Sequence, residues 1–228
     1  MTIPQDGPAF LYLHGFASSA ASAKARAFVA WGRERGIAVE PLDLRVPSFE
    51  RLRFSAILAR VREAIDAAGG PAARVALIGS SLGGLTACRV AAEDPRVAAV
   101  FAMAPAFRLA ERWRERLGEA GWARWKLEGF LEVDDYLTKS RSRVDFGFVE
   151  ELEALGDGAP DVRVPTCIVH GTADAIVPIE RSRSWAAGKR HVRLVELDDG
   201  HELTASIPRI LSEAAQFFRT FGIDGLSP

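Results

Sequence analysis

The apolar positions of this chain form short, nearly uninterrupted runs, and longer helical segments lie between them. The runs predict six strands, at residues 9–13, 39–42, 75–78, 97–103, 166–169 and 192–197. Several of them are apolar at consecutive positions instead of at every second position. This pattern is typical of parallel strands that helices cover on both faces of the sheet.

The segments between the runs are typical of helices. They predict helices at residues 22–35, 49–67, 82–93, 178–187 and 204–221. The last segment has the clearest apolar face, which consists of Ile207, Ile210, Leu211, Ala214, Phe217 and Phe218. Because strands and helices alternate along the whole chain, the sequence predicts a doubly wound α/β fold with about six mainly parallel strands flanked by helices.

One region is longer than this alternation requires. About sixty residues separate the strand at 97–103 from the strand at 166–169, and one crossover helix needs far fewer. We expect residues 106–160 to form a helical cap inserted into a single domain of residues 1–228, with a loop at 156–161. The cap would cover the carboxyl edge of the sheet, where open α/β sheets bind their ligands.

Aromatic residues are concentrated in this insert. Trp113 shares a helical face with Leu109 and Leu117, and Trp125 follows in the same charged segment. A cap over the sheet edge must present some face to a ligand, and apolar side chains are what this segment offers. We therefore expect Trp113 and Trp125 to contact a substrate, while at least half of the insert's aromatic residues only pack the cap onto the core.

Composition and charge narrow the range of partners. The chain has 29 basic and 30 acidic residues, so it has no general attraction for nucleic acid or for an anionic membrane. No run is long enough to cross a bilayer, and the first residues lack the basic and apolar regions typical of a signal peptide, so we expect neither feature. Cys88 and Cys167 lie in apolar segments, which favours buried side chains over a disulfide or a metal site. We expect a cytoplasmic protein that acts on a small molecule without a cofactor; the oligomeric state stays open.

The junction between the strand at 75–78 and the helix at 82–93 reads Gly-Ser-Ser-Leu-Gly. It fits the pattern G-x-S-x-G with Ser81 as the central serine. A nucleophile on a sharp strand-to-helix turn needs neighbours without side chains, because the backbone passes close to itself there. The start of a helix also favours negative charge that develops at Ser81. The alternative is that Ser81 merely caps the helix.

A serine nucleophile needs a base, and the chain has four histidines. His201 lies in the loop between the last predicted strand and the last predicted helix, from which its imidazole can reach back over the sheet edge. His14 and His170 each end a strand and are expected to shape the loops that follow. His191 is expected at the surface. These positions favour His201 as the general base.

The base in turn needs a carboxylate that orients it. Asp174 follows the strand at 166–169 and precedes His201 by 27 residues, which is room for one helix and one strand. Asp199, in the histidine's own loop, is the main alternative. The expected oxyanion-hole donors are the backbone amides of Leu82, after the nucleophile, and of Phe16 (or Ala17), in the loop after the first strand.

Taken together, these motifs resemble those of the α/β-hydrolase superfamily over nearly the whole chain, with the order Ser, Asp, His. The segments "YLHGFASSAASAKARAF", "IGSSLGG", "HGTADAIVP" and "DDGHEL" resemble the small YqiA-like esterase group. The resemblance implies an α/β-hydrolase fold and a metal-free carboxylesterase or thioesterase that works through an acyl-enzyme. The substrate would be a small to medium ester or thioester. The alternatives are an amidase or aminopeptidase on the same fold, and a non-catalytic binding protein that keeps the scaffold.

Overall fold

The six predicted strands come together in one parallel sheet. The computed structural model describes residues 8–155, 160–220 and 222 of the chain. Its strands are β1 Ala9–Leu13, β2 Val39–Leu42, β3 Val75–Ser80, β4 Val97–Met103, β5 Phe130–Asp135, β6 Ser140–Asp145, β7 Thr166–Gly171 and β8 Val192–Leu197. The parallel sheet has the order β2-β1-β3-β4-β7-β8, and β5 pairs with β6 in a separate antiparallel hairpin.

Helices cover both faces of this sheet, as the continuous apolar runs predict. They are α1 Ala23–Arg33, α2 Phe54–Ala67, α3 Leu82–Glu93, α4 Leu109–Glu128, α5 Gly147–Ala154, α6 Ile179–Ala186 and α7 Ile207–Thr220. In β1, Phe10 and Tyr12 face the apolar cluster that contains α1 and α7, and Leu11 and Leu13 face the cluster that contains α2 and α3. Within the described part of the chain, no helix has both the length and the apolar character that a membrane crossing needs.

The predicted element ends differ from the observed ones in a few places. Strands β3 and β7 extend two residues further than expected and carry the chain to Ser80 and Gly171. Helix α2 begins at Phe54 and not at residue 49, because the preceding residues contact the insert instead. Arg53 forms an ion pair with Asp145 at 2.7 Å. Residues 156–159 of the predicted loop, and residue 221 at the end of the last predicted helix, lie outside the described residues.

The insert between β4 and β7 contains the expected helices, α4 and α5, and also the β5–β6 hairpin, which the sequence analysis did not predict. Helix α4 is interrupted at Gly118, whose φ is +66°. In the hairpin, Glu132 lies opposite Arg143 and Asp134 opposite Arg141. Such cross-strand pairs of opposite charge stabilise an antiparallel hairpin on its solvent side.

Candidate active site

Ser81 lies on a sharp turn between β3 and α3. Its φ is +53° and its ψ is −115°, a conformation that is rare for a residue with a side chain. The neighbouring glycines make the turn possible. A Cβ at Gly79 would collide with the backbone of Gly83, and a Cβ at Gly83 would collide with the carbonyl of Leu13. The Ser81 side chain makes no capping hydrogen bond to α3, so the alternative role as a helix cap is not observed.

The hydroxyl of Ser81 is directed at an imidazole. Nε2 of His201 lies 3.0 Å from Oγ of Ser81, and Nδ1 of the same ring lies 2.7 Å from Oδ2 of Asp174. The three side chains come from the ends of β3, β7 and β8, which the parallel sheet places along one edge. The predicted serine, histidine and aspartate are therefore adjacent in hydrogen-bonding order.

Asp174 is held as a carboxylate. Burial alone would raise its pKa, but hydrogen bonds from His170 and His201 outweigh burial and keep the pKa well below its usual value. The amides of Ile176 and Val177 also donate to it, each at 2.8 Å. An anion at this position can orient the His201 ring and stabilise its protonated form.

Asp199, the alternative acid, has a different role. Its carboxylate accepts hydrogen bonds from the amides of Gly200 and Ser206 and from the Ser206 hydroxyl. These contacts brace the loop that carries His201 and do not involve the imidazole. Asp174 is thus the carboxylate that contacts His201.

The other histidines have structural contacts. Nε2 of His14 accepts from the amide of Leu44 at 3.0 Å, so Nδ1 carries the hydrogen and donates to the carbonyl of Gly15 at 2.8 Å. Burial lowers the pKa of His14, which favours this neutral form. His191 is partly buried, with Nε2 lying 2.8 Å from the carbonyl of Val162. Neither ring reaches Ser81.

The expected oxyanion-hole donors lie beside the nucleophile. Leu82 is the first residue of α3, and Phe16 lies in the loop after β1, whose Gly15 approaches Ser81 so closely that a Cβ there would be 3.3 Å from the Ser81 Cβ. In the described structure, neither the Phe16 nor the Leu82 amide donates to another residue. Both amides are therefore free to donate to a charged oxygen of the substrate.

The insert holds the Phe16 loop in place. The hairpin amide of Tyr136 donates to the carbonyl of Ala17 at 3.1 Å. The adjacent Asp135 accepts two hydrogen bonds from the Arg45 guanidinium, at 2.8 and 2.7 Å, and Arg45 stacks over the ring of Phe49. The Phe49 ring packs against the ring of Phe16. This closed set of contacts links the hairpin to the candidate oxyanion hole.

A cavity of about 430 Å³ opens above Ser81 and His201. The insert supplies an apolar wall and also the charged side chains of Arg116, Glu132, Asp134 and Arg141. A polar wall comes from β1, β3, the start of α1 and the His201 loop. The apolar wall consists of Leu109, Trp113, Leu117, Leu131 and Val133. The polar wall consists of Tyr12, Ser22, Lys24, Ser80, Glu202 and Thr204.

The two tryptophans predicted to contact substrate differ in position. Trp113 lines the cavity, as expected. The prediction for Trp125 is wrong, because this side chain is 1 % exposed and its indole donates to the carbonyl of Val144 at 3.1 Å. Trp125 belongs to the core, where it packs beneath the ring of Trp113 and against Phe146. Burial of the indole N–H against a carbonyl leaves it no surface for a ligand.

Several cavity residues were missed in the sequence. Leu131 and Val133 alternate with Glu132 and Asp134 along β5, and this period of two is the signal that predicts a half-buried strand. Lys24 has no such signal, because a lysine in a helix is ordinarily a solvated residue. Only the three-dimensional structure places it in the cavity wall.

Comparisons with known proteins agree with this architecture. The chain matches the model of "Uncharacterised protein family (UPF0227)" over residues 9–219. No sequence among the curated proteins is significantly similar to it.

Solved structures give a consistent picture. The alpha/beta hydrolase domain-containing protein 10 from mouse is 20 % identical, with 93 % of this chain and 90 % of the mouse chain covered and a TM-score of 0.77. Est1E from Butyrivibrio proteoclasticus is 21 % identical, with 95 % and 90 % covered and a TM-score of 0.72. The Pyrococcus furiosus esterase Pf2001 is 17 % identical, with 94 % and 82 % covered and a TM-score of 0.61.

At these levels of identity the structural likeness shows a shared fold and no more. The family match covers most of the chain, residues 9–219. The chain belongs to family UPF0227, the YqiA-like group that its motifs resemble, and it has the α/β-hydrolase fold.

Proposed function

We propose that this protein is a serine hydrolase that cleaves carboxylic esters or thioesters of small to medium acyl groups. The observation that carries the proposal is the continuous series of hydrogen bonds from Ser81 through His201 to Asp174, at 3.0 and 2.7 Å, at the base of a cavity. A serine aligned with a base, and a base aligned with a buried carboxylate, is the arrangement that activates a hydroxyl for acyl transfer.

The first half of the reaction forms an acyl-enzyme. Nε2 of His201 accepts the proton of the Ser81 hydroxyl while Oγ attacks the carbonyl carbon of the substrate. Asp174 stabilises the imidazolium through Nδ1. The negative oxygen of the tetrahedral intermediate accepts hydrogen bonds from the amides of Phe16 and Leu82. The intermediate collapses when the bond to the leaving group breaks and His201 returns the proton to that group.

The second half repeats these steps with water. Nε2 of His201 takes a proton from a water molecule, whose oxygen attacks the acyl carbon bound to Ser81. The same two amides stabilise the second tetrahedral intermediate. Its collapse releases the carboxylic acid and returns the proton to Oγ of Ser81, so no cofactor or metal is required for turnover.

The cavity supports a small substrate with an apolar acyl chain. Each methylene buried against the apolar wall contributes about 0.8 kcal/mol, until the chain fills the available space. A cavity of about 430 Å³ lies in the range of small-molecule sites and is too small for a folded protein. We therefore place the acyl chain against Trp113 and Leu117, and the leaving group at the polar wall.

Hydrolysis of p-nitrophenyl esters tests this proposal. The wild-type protein should cleave the acetate, butyrate and hexanoate, and Ser81→Ala should reduce kcat by about four orders of magnitude or more with an unchanged circular dichroism spectrum. Ser80→Ala is the matched control and should remain active. Wild-type protein that cleaves p-nitroanilides but no ester would favour an amidase, and protein that cleaves neither would favour a binding protein on this scaffold.

A further inference from the structure

The polar wall of the cavity contains hydrogen-bond donors that the protein itself does not use. It lies where the first turn of α1 meets β1 and the loop of His201, opposite the apolar wall. Nothing in the serine chemistry requires donors at this place. The residues with unused donors are Lys24 and Tyr12.

Lys24 is a partly buried cation without a carboxylate partner. Its Nζ donates to the backbone carbonyl of Glu202 at 2.6 Å, next to the candidate base. No carboxylate of the described residues lies within 4.0 Å of it. An ammonium group has three donors, so two stay available. Burial lowers the pKa of Lys24, while the more distant charges of Glu202, Asp199 and Asp174 raise it.

The position of Lys24 on α1 is also unfavourable for the helix. It is the second residue of α1, two residues after the capping residue Ser22, and the start of a helix favours negative charge. The first-turn amides of Ala23 and Lys24 donate to no other described residue, so they add to the positive potential. A cation at this place weakens the helix, and a ligand of negative charge would relieve that unfavourable interaction.

Tyr12 supplies an independent observation. Its side chain is 0 % exposed, and its hydroxyl makes no hydrogen bond with any described residue. Burial raises the pKa of Tyr12, the adjacent Ser22 side chain lowers it and the charge of Glu202 raises it, so the hydroxyl stays protonated and lies beside Ser22 at the polar wall. A buried donor without a partner is costly and uncommon in proteins.

We propose that this polar wall binds a carboxylate carried by the leaving group of the substrate. The inference rests on the proposed function, which places the acyl chain on the opposite wall. A carboxylate has one negative charge and two acceptor oxygens, which match one ammonium and one hydroxyl donor. A phosphate dianion would need more positive charge than Lys24 provides. The Glu202 side chain also lines the cavity, but it is exposed, and solvent screens its charge.

The two donors contribute unequally. Lys24 lines the cavity and is only partly buried, whereas the Tyr12 hydroxyl has almost no exposed area. A carboxylate therefore reaches Tyr12 only after a neighbouring side chain shifts. Removal of the Lys24 charge should accordingly weaken carboxylate recognition more than removal of the Tyr12 hydroxyl.

A pair of matched esters tests the proposal. The butyrate esters of p-hydroxybenzoate and of p-hydroxybenzamide have the same shape, and only the first carries a carboxylate on its leaving group. In wild-type protein, kcat/KM should be about tenfold higher for the benzoate. The ratio of the two values is the readout, because any disturbance of the His201 loop affects both substrates alike.

Variants then locate the effect. Lys24→Met should bring the ratio close to one, Lys24→Arg should keep most of it, and Tyr12→Phe should lower it by about threefold. Arg116→Met is the matched control, because it removes a cation from another part of the same cavity. A ratio near one in wild-type protein would overturn the proposal. So would an equal fall of the ratio in Lys24→Met and Arg116→Met, because it would show that any positive charge in the cavity has the same effect.

Two further measurements separate the inference from the proposed function. Esters of p-nitrophenol with adipate and with its neutral adipamate place the carboxylate on the acyl side, and a preference seen only there would overturn the assignment to the leaving group. If no ester is cleaved, the proposed function fails, but calorimetry can still measure whether the polar wall binds a carboxylate. The Ser81→Ala protein should bind p-butyryloxybenzoate more tightly than the amide, and equal affinity would contradict the inference.

Discussion

His170 and Asp174 form a hydrogen bond that is fully buried, with 3.1 Å between Nε2 and Oδ2. The same Nε2 lies 2.9 Å from the carbonyl of Val177, which can only accept, so Nε2 carries a hydrogen. The other ring nitrogen lies 2.8 Å from the Ser182 hydroxyl. Both histidines therefore contact the same oxygen of Asp174, and we predict that His170 positions the carboxylate that contacts His201.

Substitution of His170 should reduce turnover without weakening substrate binding. Replacement by Leu removes a hydrogen bond to a buried charge, so we expect kcat for p-nitrophenyl butyrate to fall about tenfold to a hundredfold, with little change in KM. His170→Gln keeps a donor and should recover part of this loss. His191→Leu, a half-buried histidine with a carbonyl partner, is the control. Equal losses in both Leu variants would indicate a general structural effect.

The two aspartates near His201 should respond differently to amidation. Asp174→Asn keeps the shape of the site but removes the charge that supports the imidazolium, so kcat should fall by ~10³ to 10⁴. Asp199→Asn should leave kcat nearly unchanged and lower the melting temperature, because its contacts brace the loop. The reverse pattern in steady-state kinetics would move the catalytic acid to Asp199.

The ion pair between Arg45 and Asp135 should stabilise the hairpin over the cavity. Asp135 is 2 % exposed, so Asp135→Asn leaves the guanidinium without its partner and should lower the free energy of unfolding by about 3 kcal/mol. Glu132→Gln, at an exposed pair on the same hairpin, should change it by less than about 1 kcal/mol. Urea denaturation measures both, and equal effects would contradict the role of the buried pair.

The Arg45–Asp135 pair should also make the free energy of unfolding depend on pH. Hydrogen bonds from Arg45 outweigh burial and lower the pKa of Asp135 from 3.8 to about 2. A carboxyl group whose pKa is lower in the folded protein than in the unfolded chain stabilises the folded protein at any pH above the unfolded-chain pKa. This contribution is lost as the pH falls from about 4 to about 2. The difference in unfolding free energy between wild type and Asp135→Asn should therefore shrink in that range. A constant difference from neutral pH to about pH 2 would argue against this assignment.

Substitutions of Trp113 and Trp125 should have different effects, because the first side chain lines the cavity and the second packs in the core. Trp113→Ala should change the dependence of kcat/KM on acyl chain length more than it changes hydrolysis of the acetate, because Trp113 lines the cavity. Trp125→Ala should lower stability by about 3 to 5 kcal/mol, because it leaves a cavity in the core. A chain-length profile unchanged in Trp113→Ala would assign the apolar wall to other residues.

Much of the fold could be predicted because local patterns and packing agree. Continuous apolar runs such as β3 are possible only between two layers of helices, so the parallel sheet follows from them. The turn at Ser81 was recognisable because two backbone segments meet there and only glycine fits at Gly79 and Gly83. Ser81, Asp174 and His201 then followed from the order of the strand ends.

The remaining features depend on contacts between distant parts of the chain. The β5–β6 hairpin was not predicted, because it is rich in charged residues and lies in an insert that was interpreted as helical. The alternation of apolar and polar residues along β5 was its only local signal. The difference between Trp113 and Trp125 depends on which face of α4 meets the core, and the break at Gly118 changes that face midway. Lys24 lies in the cavity only because α1 begins beside the loop of His201.

The most direct test of the central claim is covalent labelling of the intact protein with a fluorophosphonate. This reagent reacts with a serine that a neighbouring base activates, so mass spectrometry should find one label per chain, on the peptide that contains Ser81. His201→Ala should abolish the labelling at neutral pH. Labelling at Ser80 or Ser19, or none at all in a folded wild-type protein, would contradict the assignment of Ser81 as the nucleophile.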